Sequence, residues 1–130
     1  PPSASRAPAR SRRSPRSAMS SGSSAATRKS GPPAECGVDM LNPIQHVCPG
    51  MDRAALKRDF GGQIIFHGGI ENQKVLPRGT TDDVRREVIT CLETLGSGGG
   101  YIPSSCHNIQ AGTPAENVLA MIETVHAWKP

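Results

Sequence analysis

Aromatic side chains are scarce in this chain of 130 residues: Trp128, Tyr101, Phe60 and Phe66 make up 3% of it. Long apolar runs are missing too. No stretch approaches the ~20 residues of a membrane span, and no hydrophobic signal core is present, so neither membrane insertion nor secretion is expected. The cysteines Cys36, Cys48, Cys91 and Cys106 form no CxxC pair. With no secretory signal, they point to a reduced, cytoplasmic setting.

Acidic residues are nearly absent from the first 35 positions. Arg6, Arg10, Arg12, Arg13, Arg16, Arg28 and Lys29 face a single acid, Glu35, while the remaining residues are net acidic by two charges. The whole basic excess of the chain, +4, therefore sits in this segment. The segment also lacks Val, Ile, Leu and every aromatic, and Met19 is its one sizeable apolar side chain. Such a composition cannot bury enough apolar surface to offset chain entropy, so disorder is expected over 1–35. A basic arm for nucleic acid would want interleaved aromatics, and a transit peptide fewer prolines. Arg, Pro, Ala, Ser and Gly are what GC-rich coding DNA yields out of frame or upstream of a true start. Residues 1–35 are accordingly expected to be a translation or frame artefact, and no nucleic-acid partner is expected.

Residues 36–130 read differently. Val38–Asn42 is a short apolar run closed by Pro43, a buried strand. Asp52 caps a helical Arg53–Phe60, ended by Gly61-Gly62. Gln63–His67 is a second strand, ending at Gly68-Gly69. Thr80 and Asp83 make a capping box for a helix whose stripe is Val84, Val88, Cys91, Leu92 and Leu95, closed by Gly96. Tyr101–Pro103 follows as a third strand. Thr113 and Glu116 suggest a second capping box, with Pro114 at the first helical position and Val118, Met121, Ile122 and Val125 as the apolar face. Continuous apolar strands alternating with helices predict parallel strands covered on both faces.

In such folds ligands bind beyond the carboxyl ends of the strands. Polar side chains collect there: Asn42, Gln45, His46 and Cys48; then His67, Glu71, Asn72 and Gln73; then Ser104, Ser105, Cys106, His107, Asn108 and Gln110. Each has an ordinary alternative. His107 could bond a loop carbonyl, and His67 could fill space before the glycine turn. His46 and Cys48 resemble half a metal site, but the spacing arises easily by chance on a Pro-Gly loop. Cys106 and His107 are adjacent on an extended segment and so point to opposite faces, which argues against a direct thiol–imidazole pair. Gly98-Gly99-Gly100 lacks a P-loop lysine and reads as a hinge.

The segments Gly37–Gln45, Phe66–Ile70, Leu76–Thr80, Gly99–Gln110 and Thr113–Asn117 together resemble the uroporphyrinogen decarboxylase superfamily over about residues 36–128. That resemblance implies an α/β fold, the C-terminal three βα units of a (β/α)8 TIM barrel preceded by the disordered tail. It implies a parent carboxy-lyase acting without a cofactor on the acetate side chains of a porphyrinogen, in porphyrin biosynthesis, and able to form a homodimer. His107 would match the late-barrel histidine that contacts substrate, with His67, Asn42 and Gln45 beside it. The family's pyrrole-binding aspartate and carboxylate-binding arginines belong to earlier strands, so no catalytic residue is assigned and the chain alone is expected to be inactive. The competing branch is the zinc- and cobamide-dependent methyltransferases, which take a methyl donor; there Cys106 would be one zinc ligand beside an earlier His-x-Cys pair. A third reading is an inactive fragment.

Overall fold

The computed structural model describes residues 17–19 and 36–129, with side chains over the second range. Four strands form one parallel sheet in the order β1 (Ser17–Met19), β2 (Met40–Ile44), β3 (Ile65–Ile70) and β4 (Tyr101–Ser105). The strand β1 was not foreseen; its backbone pairs with β2 from Ser17↔Met40 to Met19↔Asn42. Apart from Ser17–Met19, the disorder and artefact expectations for 1–35 lie outside the described residues.

The helices are α1 (Arg53–Phe60), α2 (Val75–Arg78), α3 (Thr81–Leu95) and α4 (Ala115–Ala127). The caps of α1 and α3 follow the residue chemistry. Asp52 accepts from the Ala55 N–H at 2.8 Å. Thr80 and Asp83 form a reciprocal capping box, with Thr80 N–H donating to Asp83 at 2.9 Å and Asp83 N–H donating to Thr80 at 3.2 Å. The box expected at Thr113 does not form: Pro114 stands at the N-cap of α4 without a side-chain cap, and the Thr113 hydroxyl is buried without a partner. The one-turn helix α2 runs through Pro77, within a segment that gave no helical signal of its own.

Two strands overrun the punctuation expected to end them. β2 continues through Pro43, where the Asn42–Pro43 peptide is cis and the register to β3 shifts. β3 continues through Gly68 and Gly69, whose φ values of 102° and 94° only glycine adopts readily. A side chain at Gly69 would also press on Leu95 Cδ1 at 3.1 Å and Tyr101 Oη at 3.3 Å.

The core lies between the sheet and its helices. Ile44, Leu56, Phe66 and Leu95 form one buried cluster, and Ile70, Leu76, Val84, Val88 and Cys91 another; Tyr101 packs against both. The opposite face of the sheet carries Ile65 and Ile102, exposed by 40% and 43%. The expectation of strands covered on both faces therefore holds on one face among the described residues. The stripe on α4 is also rotated from the expected one. Asn117 and Ala120 are its buried positions, with Met121 and Val125 packed beside them, while Ile122 is exposed. Asn117 is buried because its carboxamide N–H donates to the carbonyls of Leu76 at 2.9 Å and Gly79 at 2.8 Å, tying α4 to α2.

Candidate functional site

A cavity of about 490 Å³ opens at the carboxyl ends of β2, β3 and β4, lined by Asn42, Pro43, His67, Ser104, Ser105, Cys106, His107, Asn108 and Ile109. Strand alternation explains how β3 contributes. Phe66 turns into the core and is fully buried, so His67, one residue on, turns to the face the helices leave open. Asn42 arrives from β2 at the register shift. The serines end β4, and the following loop brings exposed His107 to the rim. Neither imidazole is engaged by a hydrogen bond from its ring to a described residue, and both residues line the cavity. The lining mixes polar and apolar groups, and its volume lies in the range of ligand cavities.

The expected residues Asn42, His67, Cys106 and His107 are thus brought to one cavity, and Gln45 is not. The Gln45 carbonyl instead accepts from the Cys48 N–H at 3.0 Å, making the turn after β2. His67 lies inside β3 and not beyond its end, because the strand runs through the two glycines.

Behind the cavity wall lies a polar network that individual residue types did not reveal. Arg53 is 7% exposed. Its guanidinium pairs with Glu87, donates to the Gly69 carbonyl at 2.7 Å, and sits 2.8 Å from His46 Nδ1. Gly68 and Gly69, both at positive φ, present their carbonyls to side chains packed against β3. Gly68 O accepts from the Tyr101 hydroxyl at 2.6 Å, and Gly69 O faces Arg53 and the Cys91 thiol. Glu71 is buried and accepts from the N–H groups of Gln73, Lys74 and Val75 at 2.7–2.8 Å, which starts α2. The sequence did carry one signal: Glu87 lies three residues after Val84 and four before Cys91, so an acid interrupts the buried stripe of α3.

Electrostatics follow from this packing. Burial, then the Arg53 charge, holds His46 below its ordinary 6.5, so its ring is the acceptor of the guanidinium. Burial pushes the Cys91 thiol up to about 12 and also raises Cys106 and Tyr101. For Glu71 burial acts upward, but the three backbone N–H donors outweigh it and keep the carboxyl low.

Zinc does not fit the described residues. Cys106 is 4% exposed and its thiol donates to Asn72 Oδ1 at 2.9 Å, while burial opposes the thiolate that zinc needs. His46 Nδ1 faces Arg53, Cys48 is exposed, and no three His, Cys, Asp or Glu side chains converge among the described residues. Among those residues no helix is long and apolar enough to cross a membrane.

The chain is similar to several known proteins. A curated protein of Legionella pneumophila (strain Corby) named uroporphyrinogen decarboxylase is 35% identical over 97 residues, covering 75% of this chain and 26% of the relative. Proteins of the same name from Methylobacillus flagellatus and Psychromonas ingrahamii are 32% and 28% identical over 94 and 76 residues, which is 72% and 58% of this chain and 25% and 21% of theirs. The chain thus spans about a quarter of the length of the curated relatives it matches. The match to the family described as uroporphyrinogen decarboxylase (URO-D) runs over residues 22–128, beginning inside the Pro/Ser/Arg-rich segment. Because that match takes in most of the chain, the chain belongs to the uroporphyrinogen decarboxylase family.

Proposed function

We propose that this chain forms the late-barrel wall of a substrate cavity in a carboxy-lyase that decarboxylates the acetate side chains of a porphyrinogen. The observation that carries the reading is the 490 Å³ cavity in which Asn42, His67 and His107 gather at strand ends, in a chain of this family. A polycarboxylate tetrapyrrole needs donors for its carboxylates, and two imidazoles with a carboxamide supply them. His107, exposed on the rim, is the group best placed to meet a side-chain carboxylate, and His67 and Asn42 line the floor. Among the described residues no arginine lines the cavity, so most of the charge compensation for the substrate falls to groups beyond them.

The test is a chimera in which residues 36–128 replace the matching segment of the Legionella pneumophila relative. The chimera is expected to convert uroporphyrinogen, with His107→Ala lowering kcat/KM by roughly 10- to 100-fold, the loss of one or two carboxylate hydrogen bonds. A folded chimera without turnover, or one indifferent to His107→Ala, would sink the reading. The 130-residue chain assayed alone is expected to show no decarboxylation, and measurable turnover there would refute the assignment of essential groups to other strands.

A further inference from the structure

We infer that Asn72 is a positioning residue that holds the His107 loop through a two-ended carboxamide clasp. This rests on the proposed role of His107, but the clasp itself stands on the geometry. Asn72 follows β3 and is 2% exposed. Its Oδ1 accepts from the Cys106 thiol at 2.9 Å, and its Nδ2 donates to the Asn108 carbonyl at 3.1 Å. The two partners flank His107 on either side. One buried side chain therefore fixes the residue before and the residue after the rim histidine, and a third tie anchors the same place, the Cys106 N–H donating to Ile70 O at 2.8 Å.

The pairing also explains the residue types. A primary amide has an acceptor and a donor at opposite corners, which is what a thiol and a carbonyl on one loop require. Cys106 belongs to the cavity wall but acts as a weak donor to Asn72, not as a nucleophile. Among the described residues no hydrogen bond engages the His107 ring. Preorganisation by the clasp lets a surface loop present a ligand contact without ordering it on binding.

Two variants separate the ends of the clasp. Asn72→Asp keeps an acceptor for the Cys106 thiol and removes the donor to Asn108; Asn72→Ala removes both. In the 130-residue chain, backbone order parameters at residues 107–110 are expected to fall from about 0.85 to below about 0.6 in both variants. Alkylation of Cys106 by iodoacetamide, mapped by peptide mass spectrometry, should accelerate about tenfold in Asn72→Ala alone. Amide protection in α3 should stay unchanged. Unchanged loop order, or loss of α3 protection together with the loop, overturns the assignment and leaves Asn72 a general core residue.

In the chimera described above, Asn72→Asp should lower kcat/KM about tenfold beside native His107 and less than twofold beside His107→Ala. Equal losses on both backgrounds would also overturn it. A chimera with no turnover counts against the proposed function, and the order parameters and alkylation rates then decide the clasp by themselves.

Discussion

Arg53 is the residue on which the carboxyl-end architecture converges. Its guanidinium joins the start of α1 to Glu87 on α3, to the Gly69 carbonyl and to His46. Removing it by Arg53→Ala leaves a carboxylate and a carbonyl stranded in a site with little water, which should cost about 3–5 kcal/mol in urea unfolding. The paired change Arg53→Met with Glu87→Leu removes both charges together and should cost far less. If the single change proved as mild as the double, the network would be a surface contact and not a buried one. His46 and Glu71 give this region its pH dependence. The folded His46 resists a proton that the unfolded chain accepts, so its contribution is present above 6.5 and lost as pH falls toward the lower folded value. Glu71 is likewise held below its ordinary 4.5, so its contribution is present above 4.5 and lost as pH falls below it. Stability should therefore decline in two acid steps. His46→Gln removes the step beginning near 6.5 and Glu71→Gln the step beginning near 4.5, read from urea midpoints across pH.

At the scale of elements, the helices are fixed by two different devices. α3 carries its own start signal, and Thr80→Ala, which breaks the capping box, should cost about 1 kcal/mol. α4 has no side-chain cap, and its position depends on Asn117 reaching two carbonyls around α2. Asn117→Ala takes the donor from a buried carbonyl and a part-buried one, so its cost should exceed that of Thr80→Ala, at about 2–3 kcal/mol. Thermal melts of the two variants decide the order; the reverse ranking would mean that α4 is held by its apolar contacts alone. The same contrast explains which caps were legible. Thr80 and Asp83 lie three residues apart on an exposed turn, where local geometry decides. Thr113 has the same spacing to Glu116, yet Pro114 takes the N-cap place and the Thr113 hydroxyl is buried.

At the scale of the molecule, the sheet has a helix-covered face and a face on which Ile65 and Ile102 stand exposed. Among the described residues β4 pairs with β3 alone, so one edge offers unpaired backbone groups beside an apolar surface. Such an edge invites association between chains. The 130-residue chain should self-associate with rising concentration in light scattering, and Ile65→Thr with Ile102→Thr should reduce this without loss of helical circular dichroism. Scattering that is flat with concentration in the native chain would contradict this.

Legible in the residues alone were the parallel βα order, the caps of α1 and α3, the buried stripe of α3, and the carboxyl-end clustering of Asn42, His67, Cys106 and His107, which line one cavity. These are local properties: periodicity, turn chemistry and the fixed polarity of parallel strands put them where they are. Tertiary structure decided what depends on partners distant in the chain. It ran β3 through the glycine pair, because β4 pairs with it along Gly68 and Gly69, and carried β2 past Pro43 to Ile44, which pairs with Gly68 beyond a register shift. It moved Gln45 out of the cavity into a turn, rotated α4 onto Asn117, and gave Cys106 a carboxamide partner. It also assembled Arg53 with Glu87, 34 positions away, from residues that singly look like ordinary helix charges. Burial turns such charges into structure, and burial is known only once the elements pack.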